Sequence, residues 1–183
     1  MSSPRSETGL PMAVTDMQLA LARRQRGGGR LRQPVAMIGP GDGSPAVCAD
    51  AREIAGYLAR AGMTIVCGGR GGVMEAASRG ATENGGIAIG FLPEEDLSAA
   101  NRYLSIALPT GMGEMRNALI ARSAVCLVAV GGGMGTISEM ALGLKWGKRV
   151  FTLHADLVLP GATACADVPS LLTAVMGYLV DVE

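Results

Sequence analysis

The segment Ala129-Val-Gly-Gly-Gly-Met-Gly-Thr-Ile-Ser-Glu-Met140 sets four glycines, a threonine and a glutamate between an apolar run and a helical pattern. Glycine permits positive φ and close backbone approach. The first-turn amides of the following helix then point outward with partial positive charge, an anion site built from backbone alone. Gly131, Gly132, Gly133, Met134, Gly135 and Thr136 are therefore candidate phosphate-binding residues. Two more clusters have the same form. Gly39-Pro-Gly-Asp-Gly43 contributes Gly39, Gly41 and Gly43, and Gly68-Gly-Arg-Gly-Gly72 contributes Gly68, Gly69, Arg70, Gly71 and Gly72. Asp42 and Arg70, within these loops, read equally well as turn residues.

Glu139 has two readings. Thr136-Ile-Ser-Glu139 has the form of a capping box, in which the glutamate bonds back to the N-cap amide. A carboxylate beside an anion site repels phosphate, however, so the second reading points it at another part of the ligand, such as ribose hydroxyls or a bond to be broken. Arg116, in Gly111-Met-Gly-Glu-Met-Arg-Asn117, also has two: a surface ion pair with Glu114 or another acid, or a permanently charged fork facing the same cleft. Arg116 and Glu139 are the candidate catalytic pair.

These residues need elements to hold them. Val35–Ile38, Thr64–Cys67, Ile87–Phe91, Tyr103–Leu108, Val125–Val130 and Arg149–Leu153 are apolar, strand-like runs. Between them lie helical spacings at Val47–Leu58, Val73–Glu83, Glu114–Ser123 and Ile137–Leu144, with a closing helix at Pro169–Val180. Apolar strands alternating with helices predict a parallel sheet covered on both faces, an α/β, doubly wound, Rossmann-like single domain in three layers. The glycine loops then share the carboxyl edge of the sheet, where ligands bind. Residues 1–33 read as a flexible N-terminal extension before a nucleotide-binding domain at 34–183: Ser2–Pro11 is polar, Thr15–Arg26 could form a short helix, and Gly27-Gly-Gly29 is a break. Its Arg23, Arg24, Arg26, Arg30 and Arg32 could touch an acidic partner.

Composition narrows the chemistry. Sixteen basic residues balance sixteen acidic ones in the 183-residue chain, so no net field favours nucleic acid or an anionic membrane. The only lysines, Lys145 and Lys148, fall near a helix end, which argues against a Schiff-base cofactor. One histidine, His154, and four cysteines without zinc-type spacing predict no metal site. No apolar run approaches a membrane span and no signal-peptide core is present, so a cytoplasmic protein is expected. No loop spells GxGxxG, no acid follows the second strand, and no GxxxxGK[ST] occurs, which disfavours a dinucleotide or ATP. A small phosphorylated ligand is the expectation.

Gly111-Met-Gly-Glu-Met-Arg-Asn117, with Gly132-Gly-Met-Gly-Thr-Ile-Ser-Glu139 downstream, resembles the LOG family of Rossmann-fold proteins over about residues 34–155. That resemblance implies hydrolysis of a nucleoside 5′-monophosphate at its N-glycosidic bond, with Gly132, Gly133, Gly135 and Thr136 on phosphate, Glu139 and Arg116 catalytic, no required cofactor, and a homodimer or higher homo-oligomer. Two positions depart from the family pattern: Gly131 stands for a proline and Asn117 for a lysine. Those changes are more similar to a branch containing molybdenum-cofactor carrier proteins, which implies a non-catalytic carrier for a pterin-type cofactor. A third alternative is a scaffold whose capping box is only structural.

Overall fold

The computed structural model describes residues 12–182. The expected polar segment Ser2–Pro11 lies outside the described residues. A seven-stranded, wholly parallel sheet runs in the order β4-β3-β2-β1-β5-β6-β7. The strands are β1 (Val35–Ile38), β2 (Ile65–Cys67), β3 (Ala88–Leu92), β4 (Ile106–Pro109), β5 (Cys126–Val130), β6 (Arg149–Leu153) and β7 (Thr163–Ala164). β1, β2 and β5 are buried throughout, as expected of strands covered on both faces.

Alternation along β1 assigns its side chains. Val35 and Met37 join a core with α2 (Pro45–Arg60), α3 (Val73–Glu83) and α6 (Val168–Asp181). Ala36 and Ile38 face the other way, onto α4 (Asn117–Ser123) and α5 (Met134–Lys145). The chain therefore leaves β1 toward one face and β5 toward the other. Between these adjacent strands lies the topological switch point, which opens a crevice at their carboxyl ends. This doubly wound α/β fold matches the expectation.

Part of the expected N-terminal extension packs on the domain. Met12–Arg26 forms α1, lying against α6, with Val14 and Leu21 fully buried in the first core. Arg24 Nε donates to Gly29 O at 2.8 Å, and Gln25 Oε1 accepts from Leu31 N at 2.7 Å, so side chains of α1 pin the glycine break. The expected fourth strand begins later than Tyr103, because Asn101 ties this turn to the loop after β2: its Nδ2 donates to Gly69 O and to Arg70 O, each at 3.1 Å. No described helix is long and apolar enough to cross a membrane.

Candidate functional site

At the switch point a cavity of about 500 Å³ opens between the loops after β1, β2 and β5 and the turn leading into α4. Gly39 and Gly41 line it from the first loop, Gly68, Arg70 and Gly71 from the second, and Gly133, Gly135 and Thr136 from the third. Arg116 and Glu139 stand in its wall. The remaining expected positions serve other ends. A side chain on Gly72 would strike the Gly41 carbonyl at 2.5 Å, so Gly72 holds two loops together from behind. Gly43 packs on Val73, Gly69 on Leu92, Gly131 on Pro40, and Gly132 on Asp156. Met134 projects into solvent, 82% exposed.

The structure removes the capping reading of Glu139. Helix α5 starts at Met134 with Gly133 as N-cap, and no side chain caps it. Gly133 sits at φ 156° and ψ 160°, a conformation L side chains rarely adopt, and its carbonyl accepts the first helical bond from Ile137 N at 2.9 Å. Thr136 is therefore inside the first turn, and Glu139 lies beyond capping reach. The capping box gives way to a turn whose Gly133, Gly135 and Thr136 line the cavity, with no side chain capping its leading amides.

Glu139 instead meets Arg116. Arg116 ends a 3-10 turn (Gly113–Arg116) and is buried, 6% exposed, rather than on the surface. Its Nη1 donates to Asn117 Oδ1 at 2.6 Å and to Glu139 Oε1 at 3.3 Å. Asn117 Nδ2 donates in turn to Ser138 Oγ at 2.8 Å, and Ser138 Oγ to Gly135 O at 2.7 Å. The chain of bonds ties the guanidinium to the same helical turn that carries the amide cradle. The absence of a side chain at Gly68 makes this possible, since a Cβ there would lie 2.7 Å from Arg116 Nη2.

The charge balance inside this network is uneven. Burial pushes the Glu139 carboxyl up to about 8; Arg116 pulls it down, and Glu114 adds to the rise. Burial outweighs the ion pair because desolvation of a carboxylate exceeds what one cation at 3.3 Å returns. Arg116 Nε is buried without a hydrogen-bond partner among the described residues, a desolvation cost that adds to that of Glu139. Arg70, by contrast, is half-exposed and paired with Glu94 at 3.3 Å. Ile38, Pro40 and Met74, which no sequence motif marks, add apolar wall, and Glu114, expected only as an ion-pair partner, lines the cavity as well. Asn117 was visible as a departure from a family pattern, but its role as the acceptor holding Arg116 was not.

Comparison with known proteins places the fold among related ones. The SLOG cluster4 family description matches residues 32–171. An uncharacterized protein of Archaeoglobus fulgidus is 40% identical over 128 residues, 69% of this chain and 83% of its own. Among solved structures, the molybdenum cofactor binding protein from Rippkaea orientalis superposes with a TM-score of 0.76 at 30% identity, covering 81% of this chain and 99% of that one. The Moco carrier protein from Chlamydomonas reinhardtii does so with a TM-score of 0.74 at 34% identity, covering 82% and 100%. The chain belongs to the SLOG cluster4 family.

Proposed function

We propose that this SLOG cluster4 member binds and carries a phosphorylated pterin-type cofactor of the molybdenum-cofactor kind in the carboxyl-edge cavity. The observation that carries this reading is the pairing, in one cavity, of an amide cradle with carboxylate groups. The leading amides of α5 suit a phosphate. Asp42 and Glu114 line the same cavity and can accept from the amino and ring N–H groups of a pterin edge. The Arg116 guanidinium, in the cavity wall, would supply a further donor to a bound anion. The likeness to molybdenum cofactor binding and carrier proteins supports the choice of pterin over other phosphorylated rings.

The residues fit such a group. Gly133 and Gly135 leave the floor free of side chains, and with Thr136 they would hold phosphate. Arg116, oriented by Asn117 and Glu139, would add a charge-assisted bond. A molybdenum-bearing pterin supplies redox chemistry at its metal when bound; this chain would hold, orient and shield it. A homo-oligomer remains part of the proposal, supported by the exposed Ile106, Leu108, Met112 and Met115 beside the turn that carries Arg116.

N-glycosidic hydrolysis of a nucleoside 5′-monophosphate is the second reading, favoured by the Glu139 carboxyl at about 8 in the cavity wall, which keeps a proton available near neutral pH. Arg116, which never deprotonates, would then stabilise charge on the leaving base. Incubation with a panel of nucleoside monophosphates separates the two. The carrier reading expects no released base, and turnover that Glu139→Gln abolishes would establish the hydrolase.

A further inference from the structure

The arginine cluster noted at the N-terminus is absorbed by no part of the carboxyl-edge site. It lies at the opposite edge of the sheet. A second cavity, of about 710 Å³, is bounded there by residues that immediately precede strands: Gln33 before β1, Val125 before β5, and Trp146 to Lys148 before β6. Arg24, Arg30, Arg32 and Lys148 line it with Trp146 and Tyr178, and no acidic residue among the described ones does.

Its wall is held in place. Arg24 fastens the glycine break to the end of α6, donating from Nε to Gly29 O at 2.8 Å and from Nη1 to Leu179 O at 3.2 Å. The Gln25 amide grips both backbone groups of Leu31, accepting from its N–H at 2.7 Å and donating to its carbonyl at 3.1 Å. Arg30 therefore sits between two anchored residues, on a segment that could otherwise move freely. Arg24 is spent on carbonyls, but Arg30 and Arg32 are exposed and pair with no described acid. Lys148 Nζ gives one hydrogen to Ala124 O at 2.7 Å and keeps two. Three cations thus remain for an anion. Arg122 stacks over Trp146, 5.2 Å from the ring centroid, and raises the positive field at the rim. The volume falls within the range of small-ligand sites.

We propose that this amino-edge cavity binds a nucleoside di- or triphosphate, with the phosphates on Arg30, Arg32 and Lys148 and the base against Trp146 and Tyr178. Three unpaired cations match a polyphosphate better than a single phosphate. The two aromatic side chains give the base an apolar surface. Residues 24–31, which supply Arg30 and the clamps, precede the segment matched by the family description, whereas Arg32, Trp146 and Lys148 lie within it.

Trp146 is the only tryptophan, so intrinsic fluorescence reports on this cavity directly. The full chain is titrated with ADP at fixed salt, without added metal, exciting tryptophan selectively, with calorimetry in parallel. A saturable response is expected, with half-saturation rising roughly tenfold in the Arg30→Ala/Arg32→Ala double variant, whose exposed positions leave melting temperature unchanged. Gly135→Ala, which changes only the carboxyl-edge cradle, should leave the tryptophan fluorescence titration where it was. The proposal is overturned if neither fluorescence nor heat saturates, or if the arginine variant binds as wild type does. It is equally overturned if pyrophosphate or a hexaglutamate peptide binds as tightly as ADP, or if Gly135→Ala shifts the response.

Discussion

Replacing Glu139 by glutamine removes a carboxyl whose ionisation the fold resists. In the unfolded chain the group titrates near 4.5, and in the folded chain burial lifts it to about 8. Below about 4.5 both states carry the proton and stability is indifferent to it. Between about 4.5 and about 8 only the folded state keeps the proton, so stability falls as pH rises, by about 1.4 kcal/mol per pH unit and at most about 5 kcal/mol in all. Above that window the loss is complete and the curve is flat. Glutamine is close in shape to the protonated acid and does not titrate, so this term vanishes in Glu139→Gln. Urea unfolding of both proteins at pH 5 and pH 9 isolates it, because every other titrating group cancels in the difference. The variant should match wild type within about 1 kcal/mol at pH 5 and exceed it by several at pH 9. Phosphate affinity of the wild type should also weaken above about pH 8, as a carboxylate appears beside the anion cradle. Parallel stability curves, or a wild type that gains on the variant as pH rises, would refute the reasoning: the ion pair with Arg116 would then outweigh burial.

Three other substitutions probe the cradle and its supports. Gly135→Ala meets no atom closer than the Asn117 Nδ2 at 4.0 Å, so it should raise stability by about 0.4–1 kcal/mol while its methyl group weakens ligand binding; equal or tighter binding in calorimetry would remove Gly135 from the site. Gly68→Ala places a Cβ 2.7 Å from Arg116 Nη2, where ordinary contact begins near 3.4 Å, so the guanidinium must shift by roughly 0.7 Å and strain its bond to Asn117. Melting temperature should drop by the equivalent of about 1–3 kcal/mol and affinity should fall with it; a variant unchanged in both would show that Arg116 has room to spare. Asn117→Lys deletes the acceptor for Arg116 and sets a second cation beside it, at a cost of about 1–3 kcal/mol by urea unfolding, and wild-type stability would show that the Asn117–Ser138 link does not hold the arginine.

Much of this architecture was legible because each strand that touches the site is a continuous apolar run. Val35–Ile38 and Arg149–Leu153 fall where the pattern put them, and Val73–Glu83 follows its helical spacing to the residue. Thr163–Ala164 was not legible: two residues at a sheet edge carry no periodicity. The glycine loops were visible as composition, but local sequence does not distinguish a glycine that floors a cavity from one that lets two loops touch. Gly68 clears space for a guanidinium that arrives from far along the chain, and Gly72 clears space for a neighbouring carbonyl; both read as the same residue in the same loop. Thr136 and Glu139 show the opposite failure. Their spacing satisfied a local rule, but Gly133, at a backbone conformation open to glycine, starts the helix three residues earlier and frees the glutamate for Arg116.

We propose that the carboxyl-edge cavity holds a phosphorylated pterin. Native mass spectrometry of the full chain, mixed in turn with molybdenum cofactor and with adenosine 5′-monophosphate, tests it most directly. A retained cofactor adduct that Gly133→Val abolishes, together with intact monophosphate and no free adenine, is the predicted result. Absence of any cofactor adduct, or release of adenine from the monophosphate, would contradict the account.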